Sequence, residues 1–365
     1  MSDSAFKNVI NANLVKKMGA TFHLAYPAFN QKSFQKIIPK LEALELKARV
    51  LLLTEGLRGE LPKTFLEDAK VLQNVLNQKK LSGFELWPVS EYISQFGTDH
   101  VEKSMELMYE MTQAFTSEFA IRPFLEKNPK AILEILQRWS EDENVHIRRL
   151  VSEGTRPMLP WGGKIESFVK QPATLHLLEK LKYDEELYVR KSVANHLNDI
   201  SKNHPELLVK TLKTWVKDSP QEHKSKIDWI KKQALRTLIK KGYAGALGLM
   251  GVTGEAKVNL NNLKLNQRDY KVGDTLAFDF ELKSTSSKSQ VLIVDYLINF
   301  VKANGTRSAK VFKLKTIALK AGEKVVLKKS HSLKKITTMT FFKGEHEVQI
   351  QINGKVIKKV SWMFK

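Results

Sequence analysis

Apolar residues recur with a helical period through the first two-thirds of the chain and with a period of two through the last third. Within Ala131–Trp139, Ile132, Leu133, Ile135, Leu136 and Trp139 fall mostly at i, i+3, i+4 and i+7, the stripe by which an amphipathic helix packs. Val189, Val193 and Leu197 repeat that spacing. Prolines and glycines (Gly83 and Pro88, Gly154 and Pro157, Gly162 and Gly163) stand between such segments, where they turn the chain. Gly242, Gly245, Gly248, Gly251 and Gly254 punctuate an apolar stretch that reads as a last helix and a linker. Beyond it the pattern alternates strictly in Phe278–Leu282, Phe312–Lys315 and Val348–Ile352, as half-buried strands require. Turn pairs stand at Asn304-Gly305, Ala321-Gly322 and Asn353-Gly354. The expectation is a helical domain over residues 1–250, then an immunoglobulin-like β-sandwich of seven or eight strands over residues 255–365.

The helical part repeats itself. Val145-His146-Ile147-Arg148-Arg149 aligns with Tyr188-Val189-Arg190-Lys191 and with Trp229-Ile230-Lys231-Lys232, so a basic pair returns after 42 and then 41 positions. Pro129-Lys130-Ala131-Ile132-Leu133 likewise resembles Pro205-Glu206-Leu207-Leu208, each run being followed by a tryptophan, Trp139 or Trp215. The period is that of two-helix HEAT-like repeats, whose apolar faces are buried only by stacking into a solenoid. One basic pair would be a solvated helix end. Three at equivalent positions predict a ladder of cations on one face, suited to tracking phosphates.

Charge sharpens this picture. The 365 residues carry 60 lysines and arginines against 39 aspartates and glutamates, a net charge of +21. Residues 255–365 hold 22 of those cations against 9 acids, so the sandwich is strongly basic. Such a surplus draws polyanions, nucleic acid above all, although solubility alone would also favour it. The sandwich is therefore expected to make a second contact with the nucleic acid. No run approaches the roughly 20 apolar residues of a membrane span, and Met1–Gly19 lacks a signal-peptide core. A cytoplasmic, nucleoid-associated, monomeric protein without membrane contact is expected.

Several chemistries are missing. The chain has no cysteine, which excludes disulfides and thiolate chemistry. Gly163-Lys164 lacks the upstream glycine of a phosphate loop, and neither a G-x-G-x-x-G helix start nor a G-x-S-x-G elbow occurs. The nine histidines are scattered without zinc spacing, and a residue such as His23 or His196 reads as core or surface. Neither a metal nor a cofactor is expected.

Three segments stand out. Ser117–Leu125 sets Glu118 and Arg122 in a largely apolar segment that reads as helical. Arg148–Gly162 crowds Arg148, Arg149, Glu153, Gly154, Arg156, Pro160 and Trp161 together. Tyr188–Lys202 carries Arg190, Lys191, Asn195, His196 and Asp199. Together they resemble the AlkC family of DNA alkylation repair glycosylases. Asp295-Tyr296, Asn304-Gly305, Lys310–Lys313 and Asn353–Lys355 are similar to the immunoglobulin-like domain that some members carry. Phe34, Leu61-Pro62 and Leu86–Pro88 extend the likeness over nearly the whole chain. One departure is Gln233, standing before Ala234 and Arg236 where a histidine would be expected.

The resemblance implies hydrolysis of the N-glycosidic bond of cationic alkylated bases in duplex DNA. The substrates would be 3-methyladenine above all, with 3-methylcytosine as a further candidate, and no flipped-base pocket is implied. A base methylated on a ring nitrogen already leaves well. The enzyme has only to stabilise positive charge on the sugar and to hold a water. Glu118 and Glu153 are the first candidates for that work, with Asp199 in reserve. Arg122, Arg148, Arg149, Arg156, Arg190, Lys191, Asn195, Lys231, Lys232 and Arg236 are candidates to hold DNA, and Trp161 either presses on the lesion or packs between repeats. Other pairings stay open: Glu118 with Arg122 four residues on, Glu153 with Arg149, and Asp199 as a cap. The rival to an enzyme is a non-catalytic scaffold on the same repeats, which would gain nothing from acids set in a basic face.

Overall fold

The computed structural model describes residues 7–335 and 340–365. The N-terminal stretch weighed above as a leader begins in residues 1–6, which lie outside that range. Packing divides the chain into two compact units, residues 1–203 with 219–233, and residues 204–218 with 234–365. The change of composition near residue 250 is therefore not where packing changes: the helices Pro205–Asp218, Arg236–Lys240 and Ala244–Leu249 belong with the sandwich.

In the first unit, helices follow one another from Ala12–Ala25 to Lys224–Ala234, interrupted by one small hairpin, β1 (Met158–Leu159) paired with β2 (Gly163–Lys164). Local sequence accounts for the ends. Asn11 caps the Ala12–Ala25 helix by accepting from the backbone N–H groups of Asn13 and Leu14, and Asn144 caps the Val145–Gly154 helix through His146. Pro129 opens the Pro129–Trp139 helix at a position where its missing N–H costs nothing. The apolar stripes face inward as their spacing predicts: Ile132 and Leu136, then Ile147, Leu150 and Val151, then Val189, Val193 and Leu197 are all buried. The Val145–Gly154 and Leu187–Ile200 helices pack side by side, and this pair frames the candidate site.

The second unit holds eight strands among the described residues: β3 (Val258–Leu265), β4 (Asp269–Tyr270), β5 (Thr275–Ser284), β6 (Gln290–Val301), β7 (Arg307–Leu319), β8 (Lys324–Ser332), β9 (Gly344–Ile352) and β10 (Lys355–Phe364). They form a five-stranded sheet, β4-β10-β9-β6-β7, and a three-stranded sheet, β3-β5-β8. Asn353-Gly354 makes a two-residue hairpin with both residues at positive φ, 49° and 81°. Ala321-Gly322 instead carries the chain from β7 in one sheet to β8 in the other. Alternation holds in β5, where Leu276, Phe278, Phe280 and Leu282 point to the core. It breaks down in β6, where Leu292–Ile298 are buried without a break. Leu292, Val294, Tyr296, Ile298 and Phe300 face the sandwich core, while Ile293 on the other face packs with Leu247 and Val252 of the unit's helical part. The Gln351 amide donates to the Lys240 carbonyl at 3.0 Å, and Gly354 lies against Gly242 so closely that a Cβ on it would come within 2.0 Å of the Gly242 Cα.

Candidate active site

Three carboxylates and two arginines form one chain of contacts. Glu118 lies in a turn before the Arg122–Lys127 helix, so it shares no helix face with Arg122. Its Oε2 accepts from Thr116 Oγ1 at 3.0 Å and from Arg149 Nη1. Arg149 Nη2 stands 3.7 Å from Glu153 Oε1. That oxygen accepts from Arg156 Nη1 at 2.7 Å, and Arg156 Nε reaches Asp199 Oδ2 at 2.7 Å. The Asp199 Oδ1 accepts from Lys202 Nζ at 2.8 Å. The second oxygen of Glu153, Oε2, accepts from Ser192 Oγ at 2.6 Å. The order along the cluster is Glu118, Arg149, Glu153, Arg156, Asp199.

The 187–200 helix supplies the far side of this cluster. Ser192, His196 and Asp199, at successive turns on one face, address Glu153, Ser152 and Arg156. His196 is fully buried, its Nδ1 at 2.9 Å from the Ser152 carbonyl and its Nε2 at 2.9 Å from Thr174 Oγ1. A carbonyl can only accept, so Nδ1 carries the proton; in the neutral ring that burial favours, Nε2 accepts from the threonine hydroxyl. Burial pushes its pKa down to about 4, and of the two places the sequence allowed, core or surface, His196 takes the core. Burial alone would push the Glu153 carboxyl up, but Arg149, Arg156 and the Ser192 hydroxyl outweigh it and hold the group below the usual carboxylate range. Arg156, itself buried, is held protonated by its two carboxylates.

These shifts fix how stability depends on acidity. The unfolded chain binds a proton at His196 near the ordinary value of 6.5, while the folded chain resists it until about 4. Stability contributed by the neutral ring is full above the upper value and is lost as pH falls through that window, by about 3 kcal/mol. Glu153 acts in the same direction once pH falls below its ordinary value of 4.5, since its folded pKa is depressed. Urea midpoints measured from neutral to acid pH should therefore fall steadily through the window. In His196→Gln that window should flatten, and an unchanged slope in the variant would show that another group carries it.

Beside the carboxylates is a cleft of about 260 Å³ lined by Phe84, Phe115, Thr116, Glu118, Phe119, Glu153, Leu159, Pro160 and Trp161. Trp161 stands at the tip of the β1–β2 hairpin, 46% exposed, with φ at +62°. A bulky residue seldom adopts that conformation, so the turn holds an exposed indole at a cost. Its ring stacks on Trp87 at 6.0 Å, and Trp87 stacks on Phe119 at 5.2 Å. Gly162 follows because a Cβ there would meet Leu159 at 2.8 Å. The cleft thus offers a flat aromatic surface next to anionic groups, the combination that a cationic heterocycle or a developing sugar cation favours.

The expected phosphate ladder needs correction. Arg122 is buried and donates to four backbone carbonyls, those of Gly154, Arg156, Gly162 and Gly163, at 2.8 to 3.2 Å. It clamps the loop that carries Trp161 and is not presented to a ligand. Burial lowers its pKa to about 10. The first members of the first two basic pairs are also clamps. Arg148 donates to the carbonyls of Asp142 and Glu143, and Arg190 to those of Asp184 and Glu185, the same offsets one repeat later. Arg148 also pairs with Asp184 at 2.6 Å, and Lys231 pairs with Asp228 at 2.7 Å. Arg149 and Arg156 are committed to the carboxylates. Lys191 and Lys232 are exposed, and Asn195, one turn from Lys191, is partly so. Arg236 is half-buried and belongs to the second unit. Sequence reasoning missed Ser192 in mid-helix and Thr116 and Asp184 in the connections between helices; short polar residues gave no signal until their partners were in place.

Comparison with known proteins bears on these features. The sequence pattern described as DNA alkylation repair enzyme matches residues 110–238, and that described as the C-terminal Ig-like domain of uncharacterised protein YhaZ matches residues 259–365. The uncharacterized protein YhaZ of Bacillus subtilis (strain 168) is 39% identical over 355 residues, 96% of each chain. The Pseudomonas fluorescens alkylpurine DNA glycosylase AlkC, solved bound to DNA containing an abasic site analog, superposes with a TM-score of 0.88 at 34% identity, covering 99% of both chains.

Proposed function

Because this chain belongs to the AlkC-type DNA alkylation repair family, we propose that it is a DNA glycosylase that excises cationic alkylated bases from duplex DNA. The observation that carries this reading is the cluster itself, in which Glu118 and Glu153 are held ready beside an aromatic cleft edged by Trp161. The similarity over the whole length to an alkylpurine glycosylase points the same way. The substrate is 3-methyladenine, with 3-methylcytosine second, and the lesion is handled without a pocket for a flipped base.

The chemistry follows from charge. The methylated base departs as a neutral molecule when the N-glycosidic bond breaks, so no general acid is needed, and the positive charge passes to the deoxyribose. Anionic groups fixed beforehand stabilise that charge without reorganising. The Oε1 of Glu118 takes no hydrogen bond among the described residues, so it is the oxygen left to accept from a water. Glu153, held anionic, supplies charge and orientation. Attack by the water on the sugar cation releases a proton to solvent through the carboxylate and leaves an abasic site. The partner is alkylated double-stranded DNA, bound by a monomer, and the setting is the cytoplasm with its nucleoid. Among the described residues no helix is long and apolar enough to cross a membrane.

The test is release of methylated bases from methylated duplex DNA, with the products separated and counted. Liberation of 3-methyladenine at enzyme-dependent rates supports the reading. Binding to the duplex without release leaves a scaffold on the same repeats. The sandwich is read as a second region that meets DNA, through exposed lysines such as Lys313, Lys315 and Lys328. Changing these three to glutamine should flatten the dependence of log affinity on log salt by about 0.9 for each phosphate that is no longer neutralised. An unchanged slope would mean that these lysines, which lie on β7 and β8 in the two sheets, do not touch DNA.

A further inference from the structure

We propose that Ser192 is the positioning residue for Glu153, fixing the rotamer and the charge of that carboxylate through the hydroxyl held between Ser152 and Glu153. The inference rests on the glycosylase reading above and deepens it by assigning a residue whose only route to the reaction is through another side chain.

Ser192 is 2% exposed and sits in the 187–200 helix between the exposed Lys191 and the buried Val193. Its Oγ is 2.6 Å from Glu153 Oε2 and 3.0 Å from Ser152 Oγ. A hydroxyl has one proton to give, and the carboxylate oxygen is the shorter and charged acceptor, so the proton lies on the line to Glu153. Ser152 Oγ then donates to Ser192 Oγ, which polarises the donor further. The Ser152 backbone is fixed in turn, because its carbonyl receives the His196 Nδ1–H at 2.9 Å. The whole relay is buried: Ser152, Ser192 and His196 are each at most 2% exposed.

A single donor at Oε2 matters because of what occupies Oε1. Arg156 holds Oε1 from one side and Arg149 approaches it from another. Arg149 also serves Glu118, and Arg156 also serves Asp199. Both arginines can therefore draw the Glu153 carboxylate towards a neighbouring acid, and neither touches Oε2. Ser192 is the group that opposes this pull. It keeps the carboxylate plane turned to the cleft and stabilises its anionic form where burial works against it. Lining residues that merely pack would leave both properties alone.

The test is single-turnover excision of 3-methyladenine from methylated duplex DNA at saturating enzyme, followed from neutral into acid pH and corrected for loss without enzyme. Wild type is compared with Ser192→Ala, Ser192→Thr and Glu153→Gln, and binding to an abasic duplex is measured for each. Ser192→Ala should lower the rate by about 10- to 100-fold, the value of one hydrogen bond to a charged group. It should also move the acid limb of the profile to higher pH, with binding unchanged. Ser192→Thr, which keeps the hydroxyl, should restore both. Should Ser192→Ala fail to fold, Ser192→Cys, close in size but a poor donor, is measured in its place with the same expectation. If Glu153→Gln is inactive while the Ser192 variants keep the wild-type rate and profile, the positioning role is overturned and the glycosylase reading survives. If Glu153→Gln is as active as wild type, Glu153 has no part in the reaction and the positioning role falls with it, whereas absence of enzyme-dependent release by wild type overturns the glycosylase reading itself.

Discussion

Glutamine in place of Glu118 or Glu153 should lower excision of 3-methyladenine by roughly 100- to 1,000-fold, the usual effect of removing one preorganised electrostatic group, while binding to an abasic duplex should be kept. Each substitution preserves shape and removes charge, so the loss isolates the anion. The two positions differ in what else they disturb. Glu118 accepts from Thr116 and Arg149 in a turn at the cleft edge, and a glutamine there frees Arg149 to turn towards Glu153. Glu153 is buried among two arginines and a serine, and a glutamine there leaves Arg149 and Arg156 with Glu118 and Asp199 as their remaining acids. Because Arg149 couples the two carboxylates, the double variant should lose less than the product of the single losses. Measured on one duplex under single-turnover conditions, a full multiplicative loss would mean that the two acids act at separate points of the reaction. Retention of wild-type rates by both single variants would leave the cluster as a structural ion-pair network.

The division between helix and sandwich was legible because it depends on periodicity, which needs no partner to be read. Ile132, Val189 and Phe280 are buried where their spacing puts them. Side-chain roles were not legible in the same way. Arg148 and Arg190 do recur at equivalent places, but the repeat they mark is a backbone clamp on the preceding loop. Sequence shows that a cation recurs and is silent on whether it points outward. Glu118 and Arg122, four residues apart, suggested a helical pair. The turn over Glu118 separates them and sends Arg122 to the loop that carries Trp161. Similarly, the packing boundary escapes a composition reading because Ile293 and Gln351 on β6 and β9 engage residues before the linker.

Arg156 gives the sharpest contrast between what its sequence context suggests and what its surroundings impose. Read along the chain it is one more cation in a basic segment, and its replacement should weaken DNA binding and leave the fold intact. In the structure it is 8% exposed and bridges Glu153 and Asp199 at 2.7 Å each. Arg156→Met removes the cation and leaves both acids buried, which is the costly way to break such a pair. Unfolding free energy should fall by about 3 to 5 kcal/mol, seen as a lower urea midpoint at an unchanged slope. Loss of excision would accompany it, since Glu153 loses its Oε1 partner. Lys191→Ala, at the position one repeat on from Arg149 and exposed, should stay within about 0.5 kcal/mol of wild type and lower only the affinity for DNA. The reverse pattern, a stable Arg156→Met that binds DNA weakly, would return Arg156 to the phosphate track. An equally stable variant with unimpaired excision would mean that Lys202, at 2.8 Å from Asp199, and Arg149 together suffice to hold the acids in place.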